Sequence, residues 1–159
     1  NQITAFHPGA TQQAHIQRID ADPTIQLAII APDGRDAMIQ HAEQLQAAGI
    51  PFVFDPGQGL PMFDGDELKR FVSQATWVAV NDYEGKMLAE RTGQSLAELS
   101  RSHLKGLIET LGAEGCNVWM QGEKTHVPGV KADAAAKATA PFAINSRREA
   151  VSKSRNSKP

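Results

Sequence analysis

The sequence has very little cysteine and no long hydrophobic run. Cys116 is the only cysteine among 159 residues, which excludes an internal disulfide and a cysteine-based structural zinc site. The longest apolar stretch, residues 27–31, falls far short of the roughly 20 residues that a membrane-spanning helix needs. With 41% hydrophobic and 21% charged residues, the composition is that of one soluble globular domain, for which we expect a cytoplasmic location and no membrane partner.

Familiar catalytic motifs are missing as well. The sequence contains no GxxxxGK[ST] phosphate loop, no GxGxxG dinucleotide loop, no HExxH zinc motif and no GxSxG nucleophile motif. Its five histidines show no metal-ligand spacing, and we interpret Cys116, beside a strand, as a core residue rather than a nucleophile. Function has to be sought in residues that the fold brings together.

Charge is distributed unevenly along the chain. Residues 1–128 hold 9 basic and 16 acidic side chains, whereas residues 129–159 hold 7 and 2. From Ser146 onward, Val151 is the one aliphatic side chain larger than alanine, so this stretch lacks the apolar surface that would offset its ordering entropy. We predict a divergent, disordered basic tail over residues 134–159. Because no aromatic residue from Ser146 onward could stack on bases, we expect no nucleic-acid partner.

Before this tail, short apolar runs alternate with amphipathic stretches. The pattern predicts strands at residues 27–31, 50–54, 77–80 and 107–111, helices at 35–48, 66–75 and 82–93, and a final hairpin at 117–121 and 124–127 around Gly122-Glu123. The strands are continuously apolar, which is typical of a mostly parallel sheet covered on both faces. The predicted fold class is therefore α/β.

In open α/β sheets, ligands bind beyond the carboxyl ends of the strands. The residues that follow or end the four strands include Asp33, Asp55, Asn81 and Thr110, and we predict that all four lie at one edge of the sheet. Carboxylates, amides and glycines at such an edge can hold a phosphate or a water-bound metal. Taken singly, the Asp-Gly and Asp-Pro-Gly segments are also ordinary turns.

Four segments of the chain resemble, in order and in separation, the central part of a PfkB-type (ribokinase-like) sugar kinase. They are residues 1–10 (NQITAFHPGA), 54–56 (FDP), 80–84 (VNDYE) and 110–115 (TLGAEG). The resemblance covers residues 1–133, interpreted as a partial kinase domain, and is strongest to bacterial adenosine kinase. It implies a three-layer α/β/α fold, incomplete at both ends here, that transfers the γ-phosphoryl group of ATP, with Mg²⁺, to a hydroxymethyl group of a sugar or nucleoside.

The resemblance implies nucleotide-binding roles for five residues. Asn81 and Glu84 match the N-x-x-E motif, whose Glu orients the water shell of Mg²⁺ and whose Asn lies near the phosphates. Thr110 and Gly112 match the T-x-G strand end that lines the ATP site, and Gly115 closes the same matched segment. All five are therefore predicted at the nucleotide.

The substrate and catalytic residues match the family less completely. Phe6 and Gln58 fall at positions that face the nucleoside in the adenosine-kinase-like subgroup. Family members continue into a D-x-x-G-x-G-D signature that supplies an anion-binding glycine cradle and the catalytic aspartate, whereas residues 136–143 (AKATAPFA) contain neither glycine nor aspartate. No catalytic residue is assigned, and the resemblance implies a fragment that is inactive by itself. A homodimer is a candidate assembly for a full-length parent.

Two alternatives stay open. A different α/β enzyme would use Asp55 and Glu84 as acid and base, although no sequence spacing pairs them. A non-catalytic α/β module would instead bind a nucleotide or a protein partner at the exposed end of the sheet. Retained ATP binding without turnover would favour the module, and Mg²⁺-dependent phosphate transfer would favour an enzyme.

Overall fold

Six strands form one mixed sheet in the order of the chain. A computed structural model describes residues 9–19, 22 and 24–130. Strands β1 to β4 pair in parallel, and β5 and β6 form an antiparallel hairpin beside β4. The predicted α/β class with a mostly parallel sheet is confirmed. The strands are β1 (Ala28–Ile30), β2 (Phe52–Phe54), β3 (Trp77–Asn81), β4 (Gly106–Thr110), β5 (Gly115–Met120) and β6 (Glu123–Pro128).

Helices connect the parallel strands, as the 3.6-residue periodicity predicts. The helix α1 buries Met38, Ala42 and Leu45 at spacings of three and four, and α3 ends at Gly93 in the left-handed conformation (φ +67°) that favours glycine. Among the described helices, none combines the length and apolar character needed to cross a lipid bilayer. The helices are α1 (Arg35–Ala47), α2 (Gly65–Gln74), α3 (Asp82–Thr92) and α4 (Leu96–Ser100), with 3₁₀ turns at Gly9–Ile16, Gly57–Met62 and Gly112–Glu114.

The three longer helices lie on one face of the sheet. Each follows one parallel strand and leads to its immediate neighbour in the same direction, so right-handed crossovers place all three on the same side. On that side Ile30, Phe54, Val78 and Leu107 lie opposite one another across four strands, each at most 5% exposed. On the other side Ile29 is 63% exposed. The described residues supply helices to one face, and cover on the second face stays a prediction.

Aromatic side chains fix α2 and the loop before it onto β2. Phe54 stacks on Phe71 of α2 with ring centroids 4.4 Å apart, and Phe63 meets Phe71 edge-on at 4.9 Å. All three rings are at most 2% exposed. The end of the loop between β2 and α2 is therefore anchored in the core by Phe63.

The ends of the predicted strands and helices differ from the sequence-based expectation by up to two residues. The hairpin turn lies at Gln121–Gly122, not at Gly122-Glu123, because Glu123 already pairs with Met120 and both turn residues have positive φ, as a type I′ turn requires. Strand β2 begins at Phe52, two residues later than predicted. The predicted tail over residues 134–159 lies outside the described residues.

Candidate functional site

The strand register brings the predicted polar residues to one edge. Asn81, the last residue of β3, lies opposite Thr110, the last residue of β4. Asp55 directly follows β2, and its backbone N–H donates to the Ile30 carbonyl at the end of β1 at 2.9 Å. Asp33 follows β1 in the adjacent loop. Because these four strands are parallel, their carboxyl ends meet, which confirms the predicted placement of the four residues.

Asn81 and Glu84 form a capping box where β3 becomes α3. The Asn81 Oδ1 accepts the Glu84 N–H at 2.8 Å, and the Glu84 Oε2 accepts the Asn81 N–H at 2.9 Å. These bonds satisfy backbone donors that the start of a helix leaves without intrahelical partners. The N-x-x-E motif thus has a structural explanation of its own, and it fixes the Glu84 carboxylate at the sheet edge.

Two further capping boxes start helices elsewhere. The Asp64–Glu67 pair begins α2, and the Ser95–Glu98 pair begins α4. Among the capping boxes of the described residues, only that of α3 uses a cap residue that is itself part of a strand, since Asn81 pairs with Thr110 in the sheet. A capping box alone does not indicate a ligand site, so the location of the Asn81 box is what distinguishes it.

The turn after β4 contains two glycines with different physical roles. Gly112 has φ +58°, and no heavy atom lies within 4 Å of the place where a Cβ would stand. Its backbone conformation favours glycine, and the space beside it is open. Gly115 has φ +102°, and a Cβ there would overlap the Val127 carbonyl oxygen across the hairpin. Packing alone explains Gly115, so its nucleotide role stays a prediction.

Asp55 and Gln58 lie on the loop that follows β2. Partial burial raises the pKa of the Asp55 carboxyl group above its ordinary value, and interaction with the Gly57 backbone N–H opposes that shift. Gln58 is exposed near the start of the 3₁₀ turn Gly57–Met62. Asp55 and Glu84 share the sheet edge, but within the described chain no hydrogen bond or ion pair joins them. The alternative acid-base pair therefore gains no support from contact geometry.

The remaining predicted residues lie outside the described residues or differ from their expected placement. Phe6 and residues 136–143 lie outside the described residues. Cys116 is half-buried on β5 and pairs with Thr110, so it lies at this edge of the sheet and not in the core as predicted. In residues 9–19, 22 and 24–130, no group of three or more His, Cys, Asp or Glu side chains could hold a metal. A metal at this edge would have to be held largely by water and by a ligand, as the resemblance implies for Glu84.

A polar cluster under the helices was not predicted from the sequence. The Glu109 Oε2 accepts from Asn117 Nδ2 at 2.8 Å and from Trp119 Nε1 at 3.3 Å, and Asn117 Oδ1 lies 3.0 Å from His126 Nδ1. Glu109, Asn117 and His126 are register partners on three neighbouring strands. The alternation of polar residues along the hairpin was the signal that could have revealed it. Its groups satisfy one another.

One hollow of about 480 Å³ lies away from the predicted site. It borders Trp77, at the amino end of β3, and Lys105, just before β4, so it occupies the opposite edge of the sheet. Its lining contains none of the residues that the resemblance assigns to nucleotide or nucleoside. The remaining lining residues are Ser102, His103, Leu104, Met120 and Gln121.

Solved structures similar to this chain include nucleoside kinases, one of which is described as a member of the ribokinase family. The nucleoside kinase of Methanocaldococcus jannaschii, described as an archaeal member of the ribokinase family, superposes on 84% of this chain and 44% of its own with a TM-score of 0.75. At 22% identity this likeness shows the fold alone. No protein-family model matches the chain.

A nearer relative is the nucleoside kinase of Burkholderia thailandensis. Its inosine complex is 47% identical to this chain, with a TM-score of 0.77 over 84% of this chain and 43% of that one. A curated nucleoside kinase from Thermoplasma acidophilum is 31% identical over 78 residues, which are 49% of this chain and 25% of the relative. The predicted resemblance to ribokinase-like (PfkB-type) kinases is confirmed, and the three similar proteins named here are nucleoside kinases. The chain spans less than half the length of these relatives.

Proposed function

We propose that the chain carries the ligand-binding edge of a nucleoside kinase that uses ATP and Mg²⁺ to phosphorylate the hydroxymethyl group of a nucleoside or sugar. The observation that carries this proposal is the meeting of Gln58, the Asn81–Glu84 pair and the Thr110–Gly112 turn at one sheet edge. The 47% identity to a nucleoside kinase supports it. Phosphoryl transfer depends mainly on positioning and charge stabilisation, which is what such an edge can supply.

The residues at the edge fit a magnesium nucleotide. One oxygen of the Glu84 carboxylate accepts the Asn81 N–H, which leaves the other for a water of the Mg²⁺ shell. The first-turn amides of α3 favour an anionic phosphate, and open space at Gly112 lets a ligand approach the backbone. Bound Mg²⁺ and ATP supply the γ-phosphoryl group, and the roles proposed for Thr110 and Gly115 are to line the nucleotide.

A purine nucleoside is the acceptor that the relatives favour. The Burkholderia thailandensis kinase is known in complex with inosine and with ADP-inosine. In this chain Gln58 is exposed at the same edge as Asn81, so its side-chain amide can offer both a donor and an acceptor to a nucleoside. The Phe6 role implied by the resemblance to bacterial adenosine kinase belongs to the same proposal.

We expect the 159-residue chain to bind these ligands without turning them over. The resemblance places the catalytic aspartate and the glycine cradle where this sequence has residues 136–143, which contain neither residue type. Loss of a general base commonly lowers a rate by about 10² to 10⁴, and loss of anion-stabilising donors lowers it by about 10² to 10³. Together these losses put phosphoryl transfer below detection.

A non-catalytic nucleotide-binding module is the second candidate function. It is favoured by the same observation, because the edge retains the Asn81–Glu84 pair while the segment that would supply the base is replaced. The two candidates differ in one measurable property, which is turnover in the chain when nucleotide and acceptor are both present.

Titration of the full chain with ADP and Mg²⁺, followed by amide NMR, tests the nucleotide site. We expect shifts centred on residues 81–84 and 110–112, and we expect Glu84→Gln to remove the Mg²⁺ dependence of binding. Glu98→Gln is the matched control, because Glu98 occupies the same position in the capping box of α4 and glutamine preserves such a box. Equal effects of the two substitutions, or no ADP response in the wild-type chain, would contradict the proposed site.

A coupled assay for ADP release with adenosine, inosine and ribose tests turnover. No activity is expected with any of the three acceptors. If the chain phosphorylates one of them and Glu84→Gln abolishes that activity, the prediction of an inactive chain is wrong. The candidate base is then Asp55 at the sheet edge or Asp133, which precedes residues 136–143 in the sequence.

A further inference from the structure

The loop that carries Gln58 is more rigidly built than an ordinary surface loop. We call residues 55–64 the Gln58 loop. Four of its residues are buried, and Gln58 is exposed between two of them. Two amides of the loop donate within it, Gly59 to the Pro56 carbonyl at 2.8 Å and Phe63 to the Leu60 carbonyl at 3.2 Å. The buried residues are Pro56, Gly59, Leu60 and Phe63.

The first half of the Gln58 loop packs closely against the loop that follows β1. Gly57 has φ +45°, and a Cβ there would stand 2.5 Å from the Pro32 Cγ. Gly57 is therefore required both by its backbone conformation and by the close approach of Pro32. This contact limits the movement of Gln58 toward β1.

The second half of the loop is held by Arg91 from the last turn of α3. The Arg91 Nη1 donates to the Pro61 carbonyl at 3.0 Å and also to the Phe63 carbonyl. Just beyond the loop, Gly65 lies against the Arg91 carbonyl oxygen, which a Cβ at Gly65 would overlap. A guanidinium that donates to two carbonyls of one loop fixes that loop more firmly than a single neutral hydrogen bond would.

Helix α3 carries both the Asn81–Glu84 capping box and the arginine that binds the Gln58 loop. Helix α3 starts at the Asn81–Glu84 capping box and reaches Arg91 in its last turn, so one rigid element joins the nucleotide motif to the Gln58 loop. Arg91 follows Asn81 by ten positions, which is about 15 Å along the helix axis. Because helices resist bending over this length, a clamp at Arg91 sets the position of the loop relative to Asn81.

We propose that Arg91 is a positioning residue, which acts by holding the Gln58 loop in register with the Asn81–Glu84 pair so that Gln58 meets the nucleoside. The proposal rests on the nucleoside-binding function proposed above. Arg91 itself lies in the last turn of α3, and its side-chain hydrogen bonds within the described residues go to the Gln58 loop.

Three variants separate positioning from general stability. Arg91→Met keeps an unbranched side chain but removes both donated hydrogen bonds, and Arg91→Lys keeps one charged donor. Arg70→Met is the control, because Arg70 also makes a long-range polar contact from a helix, with its Nη2 2.6 Å from Glu43 Oε1 of α1, but among the described residues it has no hydrogen bond to the Gln58 loop.

The experiment combines amide hydrogen exchange with inosine titration of the full chain, both followed by NMR. In Arg91→Met we expect exchange at Gly59 and Phe63 to accelerate about tenfold, and inosine binding to weaken about tenfold. Arg91→Lys is expected to restore part of both effects. Arg70→Met is expected to change neither.

Each other outcome overturns a defined part of the proposal. Faster exchange at Gly59 and Phe63 with unchanged inosine affinity would make Arg91 a purely structural residue. Unchanged exchange in Arg91→Met would show that Arg91 does not hold the loop. A wild-type chain that gives no inosine response would overturn both the nucleoside function and the role of Arg91 in it, whereas an affinity lost equally in Arg70→Met would assign the effect to global stability.

Discussion

The two faces of the sheet have similar side chains and very different surroundings. On the helix side, Phe54 and Val78 are 0% exposed, while on the opposite side Ile29 is 63% exposed and Met120 is 50% exposed. Composition does not cause this difference, because apolar residues alternate onto both faces of the same strands. Chain topology causes it, since each successive crossover adds its helix to the same side.

The comparison teaches that a strand with apolar side chains on both faces does not by itself have helices packed on both faces. Strands that are apolar on both faces are typical of sheets covered twice, and the helices of the described residues cover one face. Exposed apolar side chains such as Ile29 are typical, where they form a contiguous patch, of surface that packs against further protein. The face opposite the described helices, which carries Ile29 and which we call the bare face, is thus where measurement can most directly sharpen the predicted three-layer fold.

The largest difference in stability that we expect is between substitutions at two adjacent residues of β2. Phe54→Ala removes a ring stacked on Phe71 in the core, so we expect a loss of about 3 to 5 kcal/mol in the free energy of unfolding. Val53→Ala, on the bare face, removes two methyl groups that are only partly buried, and we expect about 1 kcal/mol or less. Urea unfolding of the two variants measures the difference.

Similar losses in the two variants would contradict the one-sided packing. Phe54→Leu provides a control, because it keeps an apolar side chain at the same place, and it should cost less than Phe54→Ala. A large cost for Val53→Ala that grows with protein concentration would indicate that the bare face is buried between copies of the chain.

A smaller difference in stability is expected between substitutions at the two neighbouring isoleucines of β1. Ile29→Thr keeps a β-branched side chain on the bare face, so we expect the free energy of unfolding to change by no more than about 0.5 kcal/mol. Ile30→Thr places a hydroxyl group in the core, and we expect a cost of about 1 to 3 kcal/mol. Combining Ile29→Thr with Ile108→Thr should also lower the binding of a hydrophobic dye, measured by fluorescence. Undiminished dye binding would mean that the accessible apolar surface lies elsewhere.

The order of strands and helices was predictable because the signals are local. Runs such as residues 77–80 are short and apolar, and turn residues such as Gly93 stop the helices. The shift of the hairpin turn to Gln121–Gly122 was not predictable from composition, because pairing of Glu123 with Met120 decides it. Helix placement on one face likewise depends on strand order, which no local pattern contains.

The sequence predicted that the candidate site lies at the carboxyl edge of the sheet, but it did not predict the contacts that hold the site's loop in place. Asn81 and Glu84 were found through the family resemblance, and their location next to Thr110 follows from the parallel strands. The Arg91 hydrogen bonds to the Gln58 loop join residues that are about 30 positions apart in sequence, and nothing in the sequence around Arg91 indicates them. Long-range contacts of this kind are decided by tertiary packing.

The smallest effect that we expect is on the pH dependence of stability, and it comes from Asp55 at the candidate site. Asp55 directly follows β2, and partial burial raises the pKa of its carboxyl group above the ordinary 3.8. Folding therefore favours the protonated form, and the stability that this form contributes is lost as pH rises from about 3.8 through the raised pKa. Asp55→Asn, which stays neutral, should gain stability relative to wild type as pH rises, measured by urea unfolding between pH 3 and pH 7.

Asp22 provides the control of opposite sign for this measurement. Hydrogen bonds from the Thr24 hydroxyl and backbone N–H lower the pKa of the Asp22 carboxyl group, so its contribution to stability is present above the unfolded pKa and is lost as pH falls. Asp22→Asn should therefore lose stability relative to wild type as pH rises, whereas Asp55→Asn gains it. The same slope in both variants would mean that net charge, rather than the local burial of Asp55, controls the pH dependence.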